Sequence, residues 1–129
     1  MAGIKIRSLF ASGLLFGALG LVGTAQAAEP YGVWLRPSTG AHVRFYNCGG
    51  KLCGKVVSVK DKSRKGEVGK SIMRGAVKSG ANTWKGDLTD LASGKVYSGT
   101  VTVQSAKALS LQGCVALILC KSETWRRVK

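Results

Sequence analysis

Few side chains in this 129-residue sequence could carry covalent chemistry. The candidates are four cysteines (Cys48, Cys53, Cys114, Cys120), the single histidine His42, and the carboxylates Asp87 and Asp90. A nucleophile needs a general base within hydrogen-bonding reach, and a metal needs more ligands than one imidazole and scattered carboxylates. His42 is therefore expected at the surface or on a strand edge. Asp87 falls on the polar side of an alternating segment together with Lys85, and Asp90 opens a turn, so structural roles account for both. The expectation is a protein that is not an enzyme, with no catalytic residue and no cofactor.

The cysteines instead point to cross-links. An even number in a short exported chain reads as two disulfides. Three pairings are possible, and the local one, Cys48–Cys53 with Cys114–Cys120, is expected because each pair brackets a turn. Loops this short contribute about 2 kcal/mol each on the chain-entropy model. A four-cysteine zinc site fits poorly, because the C-x4-C and C-x5-C spacings are wider than zinc knuckles use.

Charge supplies a further candidate. Lys60, Lys62, Arg64, Lys65, Lys70, Arg74 and Lys78 cluster against only Asp61 and Glu67, a possible polyanion contact. The whole chain carries 20 basic and 6 acidic residues, a formal charge of +14. Its N-terminus explains which polyanions are available. Lys5 and Arg7 precede an apolar stretch from Leu9 to Val22, and Ala25-Gln26-Ala27 follows as a small-residue cleavage site. The apolar stretch is shorter than the roughly 20 residues that span a bilayer, so residues 1–27 read as a cleaved signal peptide. Removing 27 of the 129 residues leaves one domain of 102, residues 28–129. Two basic and no acidic residues depart, so the charge falls from +14 to +12. No transmembrane segment remains after cleavage, and the product is expected to be periplasmic or secreted. Export argues against a nucleic-acid partner. Anionic envelope components such as lipopolysaccharide, anionic phospholipid and acidic polysaccharide remain, and so does a small ligand.

The elements that position these residues follow from a period of two. Tyr97, Gly99, Val101 and Val103 alternate with polar residues, as do Leu109 and Leu111, and Trp84, Gly86 and Leu88. Gly49-Gly50 and Ser93-Gly94 are turn signals between strands. Short connections favour an antiparallel meander of about seven or eight strands, the number that closes the smallest barrels. Lys60 to Ala81 breaks the pattern. Its glycines weaken a long helix, and an extended loop with a short strand or helical turn near Ile72 is expected.

Several motifs carry a resemblance. Gly32-Val33-Trp34, Cys48-Gly49-Gly50-Lys51-Leu52-Cys53-Gly54-Lys55, Trp84-Lys85-Gly86, Gly94-Lys95-Val96-Tyr97 and Cys120 through Trp125 to Arg127 resemble a widespread family of small exported bacterial proteins labelled only as a domain of unknown function. That resemblance covers Tyr31 to Val128 and implies an extracytoplasmic β fold, with no activity to transfer. A G-x-W near the first strand and an arginine on the last is also similar to the pattern of calycin barrels such as lipocalins. There the arginine packs over the tryptophan and closes one barrel end. The matching positions are Trp34 and Arg127, and the implied fold is an all-β, lipocalin-like or streptavidin-like barrel.

The aromatics Trp34, Trp84, Trp125, Tyr31, Phe45, Tyr46 and Tyr97 are expected mainly to fill the core rather than line a cavity. Val115-Ala116-Leu117-Ile118-Leu119 reads equally as a partner- or membrane-contact tip and as a strand buried on both faces. Two functions follow: a non-catalytic binding module for a small apolar or anionic ligand, or a structural protein of the envelope with a macromolecular partner.

Overall fold

The computed structural model describes residues 29–116 and 118–129. The signal peptide expected at residues 1–27 lies outside them. The described residues form eight strands: β1 (Gly32–Arg36), β2 (Ala41–Cys48), β3 (Lys51–Ser58), β4 (Ser71–Gly80), β5 (Thr83–Thr89), β6 (Val96–Val103), β7 (Ala108–Val115) and β8 (Leu119–Arg127). Each pairs antiparallel with the next, and β8 pairs back onto β1 through Trp34↔Arg127 and Leu35↔Arg126, closing a barrel. Closure removes the unpaired edges that a chain rich in β-branched residues would otherwise expose. The all-β meander expected from the alternation is thus the observed fold.

Turn chemistry sets the registers. Gly49 and Gly50 have φ of +70° and +86°, so β2 and β3 are joined by a two-residue hairpin that requires left-handed backbone at both positions. Cys48 and Cys53 flank it with Cα atoms 5.9 Å apart and are disulfide-bonded. The second disulfide, Cys114–Cys120, ties β7 to β8 where the two residues are cross-strand partners, with Cα atoms 4.0 Å apart. Both are the local pairs that bracket turns.

The Lys60–Ala81 segment differs from its expected reading. It begins with a 3-10 helix, Lys62–Glu67, capped by Asp61, whose carboxylate accepts from the Ser63 N–H at 2.9 Å. The rest is not a loop with a short strand near Ile72 but the ten-residue β4. Glycines that argue against a helix are compatible with a bulged strand. Gly75 has φ of +114°, and the β4–β5 register shifts between Met73 and Val77. Pairing with β3 on one side and β5 on the other overrides the weak local pattern.

Packing divides the interior into two halves. One end is filled by Trp34, Phe45, Leu52, Ala76, Leu109 and Trp125, all at or below 1% exposure. Phe45 and Trp125 stack with ring centroids 6.0 Å apart. Inward glycines make this fit possible: a Cβ on Gly54 would lie 2.6 Å from the Phe45 ring, and one on Gly86 2.8 Å from the Ala76 Cα. The filled end is sealed by Arg127. Its guanidinium lies 4.4 Å from the centre of the Trp34 ring and donates to the carbonyls of Tyr31, Ala106 and Glu29. Trp34 itself donates through Nε1 to the Pro30 carbonyl at 2.8 Å. Gly32 belongs to the same seal. With φ of +134°, it leaves room that a Cβ would close, 2.5 Å from the Arg127 Nη1.

Candidate functional site

Above the Trp125 ring the side chains become too small to meet across the barrel. Ala41, Val43, Val56, Ile72, Leu111 and Gly113 face a cavity of about 760 Å³. This is the size of a small-molecule site. It lies at the end of the barrel opposite the Trp34–Arg127 seal. The turns β1–β2, β3–β4, β5–β6 and β7–β8 surround its mouth.

The cavity is two-sided. Its β3–β7 wall is mainly apolar, with Thr89 and Asp90 near the mouth, while β1, β8 and the β3–β4 connection bring Arg36, Glu123, Asp61, Arg64 and Glu67. Inward alternation on β8 explains Glu123: it shares a face with Trp125 and Arg127. Its carboxylate accepts from Arg36 Nε at 3.2 Å, from the Ser38 N–H at 3.1 Å and from Trp125 Nε1 at 2.9 Å. The carboxylate therefore links the cavity floor to its rim. Arg64 donates through Nε to Glu67 at 2.9 Å. Each arginine thus engages a carboxylate through Nε, and among the described residues neither guanidinium makes a protein hydrogen bond through Nη1 or Nη2.

Burial raises the Glu123 pKa, but the hydrogen bonds from Ser38 and Trp125 and the Arg36 charge outweigh it and hold the group below its ordinary 4.5. A carboxylate lowered on folding stabilises the native state above its unfolded pKa, and that contribution fades as pH falls through the folded value. Stability should therefore be flat from pH 7 to about 5 in this respect and decline below 4.5. Glu123→Gln should remove that part of the acid dependence. Urea midpoints for both proteins between pH 3 and 7 check the difference.

The residues singled out in the sequence are dispersed. Lys60, Lys62 and Lys65 are exposed around the mouth, and Arg64 turns toward the cavity. Lys70 precedes β4. Arg74 lies with Asp87 in a shallow groove on the outer wall, and Lys78 sits 5.6 Å from the Trp84 ring centre. These seven residues do not form one face. Asp87 and Asp90 are on opposite sides of the barrel wall, since Asp90 lines the cavity. The β5–β6 turn uses Asp90 to accept from the Ala92 N–H and the Ser93 hydroxyl. His42 is half-buried, with Nδ1 2.9 Å from the Ser58 hydroxyl.

Of the aromatics, Trp34, Phe45, Trp84 and Trp125 are buried as expected, with Trp125 forming the cavity floor, and Tyr97 lines the wall. Tyr46 is not core: it alternates outward from Phe45 and lies under the Lys55 ammonium at 5.6 Å. Arg36, Glu123 and Gly113 were not singled out in advance. The available signal for Glu123 was its period-two spacing from Arg127, which puts both on one face of the last strand.

An eight-stranded antiparallel barrel, sealed at one end by a tryptophan–arginine contact and hollow at the other, has the architecture of a lipocalin-like calyx. A solved structure of protein HP1028 from Helicobacter pylori, described as belonging to the lipocalin family, is similar to it. The two share 20% identity and a TM-score of 0.64, over 80% of this chain and 85% of that one. At this identity the likeness concerns the fold. The chain belongs to the family described as uncharacterized protein conserved in bacteria (DUF2147), whose model matches residues 32–127. No curated protein matches it.

Proposed function

We propose that this protein is a non-catalytic, extracytoplasmic binding module that holds a small amphipathic molecule in its calyx. The observation that carries the reading is the two-sided cavity. An apolar body would lie on Trp125, Val43, Val56, Ile72 and Leu111, and a polar end would face the guanidinium Nη atoms of Arg36 and Arg64, which make no hydrogen bond among the described residues. The two disulfides support folding in an oxidising compartment such as the periplasm or the extracellular space.

Fluorescence tests the site directly, because Trp125 is the tryptophan that lines the cavity while Trp34 and Trp84 do not. Titration with 1-anilinonaphthalene-8-sulfonate, an apolar probe with an anionic end, should enhance the probe's emission and quench the protein. The quenching should largely vanish in Trp125→Phe. Equal quenching in that variant would place the probe elsewhere on the surface and remove the support for a calyx site.

A further inference from the structure

Seven large apolar side chains among the described residues are exposed, and three of them, Val115, Ile118 and Leu119, sit on the β7–β8 tip. Ile118 is 83% exposed and Leu119 72%. Val115, Ile118 and Leu119 therefore project at the tip and are not covered on both faces. The Cys114–Cys120 disulfide pins its base. Val115 and Leu119 also line the cavity, so the tip stands on the rim of the calyx mouth.

The same rim is cationic. Lys60, Lys62, Lys65, Lys95 and Lys121 are exposed there, contributed by the β3–β4 and β5–β6 connections and the start of β8. Lys60 runs its stem over Gly40 of the β1–β2 turn. Two of the four opposing carboxylates are engaged: Glu67 is paired with Arg64, and Glu123 with Arg36. Asp61 and Asp90 remain as counter-charges. Lysines around a short exposed apolar tip form the combination that an anionic bilayer recognises, the cations meeting headgroups and the apolar side chains entering the interface.

We infer that the calyx mouth docks on an anionic phospholipid surface, with Ile118 and Leu119 inserted and the rim lysines on the headgroups. The cavity would then open toward the lipid, from which an amphipathic molecule could enter without crossing water. Docking stands on the tip and the lysines, whereas that last step rests on the calyx reading.

The test uses the mature chain and vesicles of phosphatidylcholine, with and without phosphatidylglycerol, in co-sedimentation at physiological salt. Binding should require phosphatidylglycerol. Ile118→Ser with Leu119→Ser should weaken it about tenfold or more, the loss expected from withdrawing buried apolar side chains. Ile118→Ser alone, which leaves the cavity lining intact, should retain probe binding measured without vesicles. Lys60→Gln, Lys62→Gln and Lys65→Gln together should weaken vesicle binding by a further order of magnitude, roughly. The same changes at Lys78, Lys85 and Lys107, away from the mouth, should alter it less than twofold. Equal losses from the two lysine triples would mean diffuse attraction and overturn the docking surface. So would vesicle binding indifferent to the tip, or a protein dimer that the tip substitutions dissolve. A lost probe site with intact vesicle docking would reject the calyx reading alone.

Discussion

Arg127→Ala is expected to lower stability by about 3 kcal/mol, read as a reduced urea midpoint with unchanged slope. The side chain makes two kinds of contact at once. Its guanidinium stacks on the Trp34 ring at 4.4 Å, a contact worth about 0.5–2 kcal/mol depending on desolvation. It also bonds three backbone carbonyls, those of Tyr31, Ala106 and Glu29, from segments on either side of the barrel end. Alanine leaves the part-buried Tyr31 carbonyl without its donor, hands the exposed Ala106 and Glu29 carbonyls to water, and opens the packing over an indole that is otherwise fully buried. Arg127→Lys should recover only a minor part of the loss, because one ammonium cannot reproduce the planar fork. Gly32→Ala should behave like Arg127→Ala, since its Cβ would collide with the same guanidinium and with the Lys129 carbonyl at 2.6 Å. A loss below about 0.5 kcal/mol for Arg127→Ala would match an ordinary surface change and deny the seal its role.

Filling the calyx should weaken probe binding strongly without unfolding the barrel. Gly113 is the position that allows this. Its Cβ would meet only side chains at ordinary contact, the nearest being Leu88 Cδ2 at 3.5 Å, and it faces the cavity. The other inward glycines do not allow it. At Gly86 a Cβ would meet the Ala76 backbone at 2.8 Å, and at Gly99 it would meet Leu88 Cβ at 2.8 Å. An indole at position 113 would displace on the order of 60 Å² of apolar ligand contact. At about 25 cal/mol per Å², that is close to 1.5 kcal/mol, or about tenfold in affinity. Adding Ala41→Phe on the opposite wall should bring the loss to about a hundredfold. Thermal midpoints should stay within a few degrees of wild type, because the new side chains enter empty space. Retained probe affinity in the double variant would mean that the probe binds outside the calyx.

The closed meander was legible because its signals are local. Alternation in β5, β6 and β7 and the Gly49-Gly50 turn fix strands and hairpins from short windows. The seal was legible only through the resemblance of Gly32, Trp34 and Arg127 to the calycin pattern. β4 was not, because its glycines and lysines obscure alternation, and only pairing with both neighbours holds it extended. The cavity was hardest to foresee. A hollow arises where small side chains from several strands face one another, and no window containing Val56, Leu111 or Gly113 alone reports what lies across the barrel. The basic cluster shows the same limit of short windows: from Lys60 to Lys78 the chain spans the mouth, the inner rim and the outer wall.

Whether the calyx holds a small amphipathic molecule is decided by mass spectrometry, under non-denaturing conditions, of the protein purified from the cells that make it. Part of the wild-type population should carry an added mass of roughly a few hundred daltons, as a cavity of this size accommodates. That mass should disappear on denaturation and be absent from the Ala41→Phe, Gly113→Trp variant purified in parallel. An identical adduct on both proteins would contradict the account, as would bare masses for both together with no probe binding by the wild type.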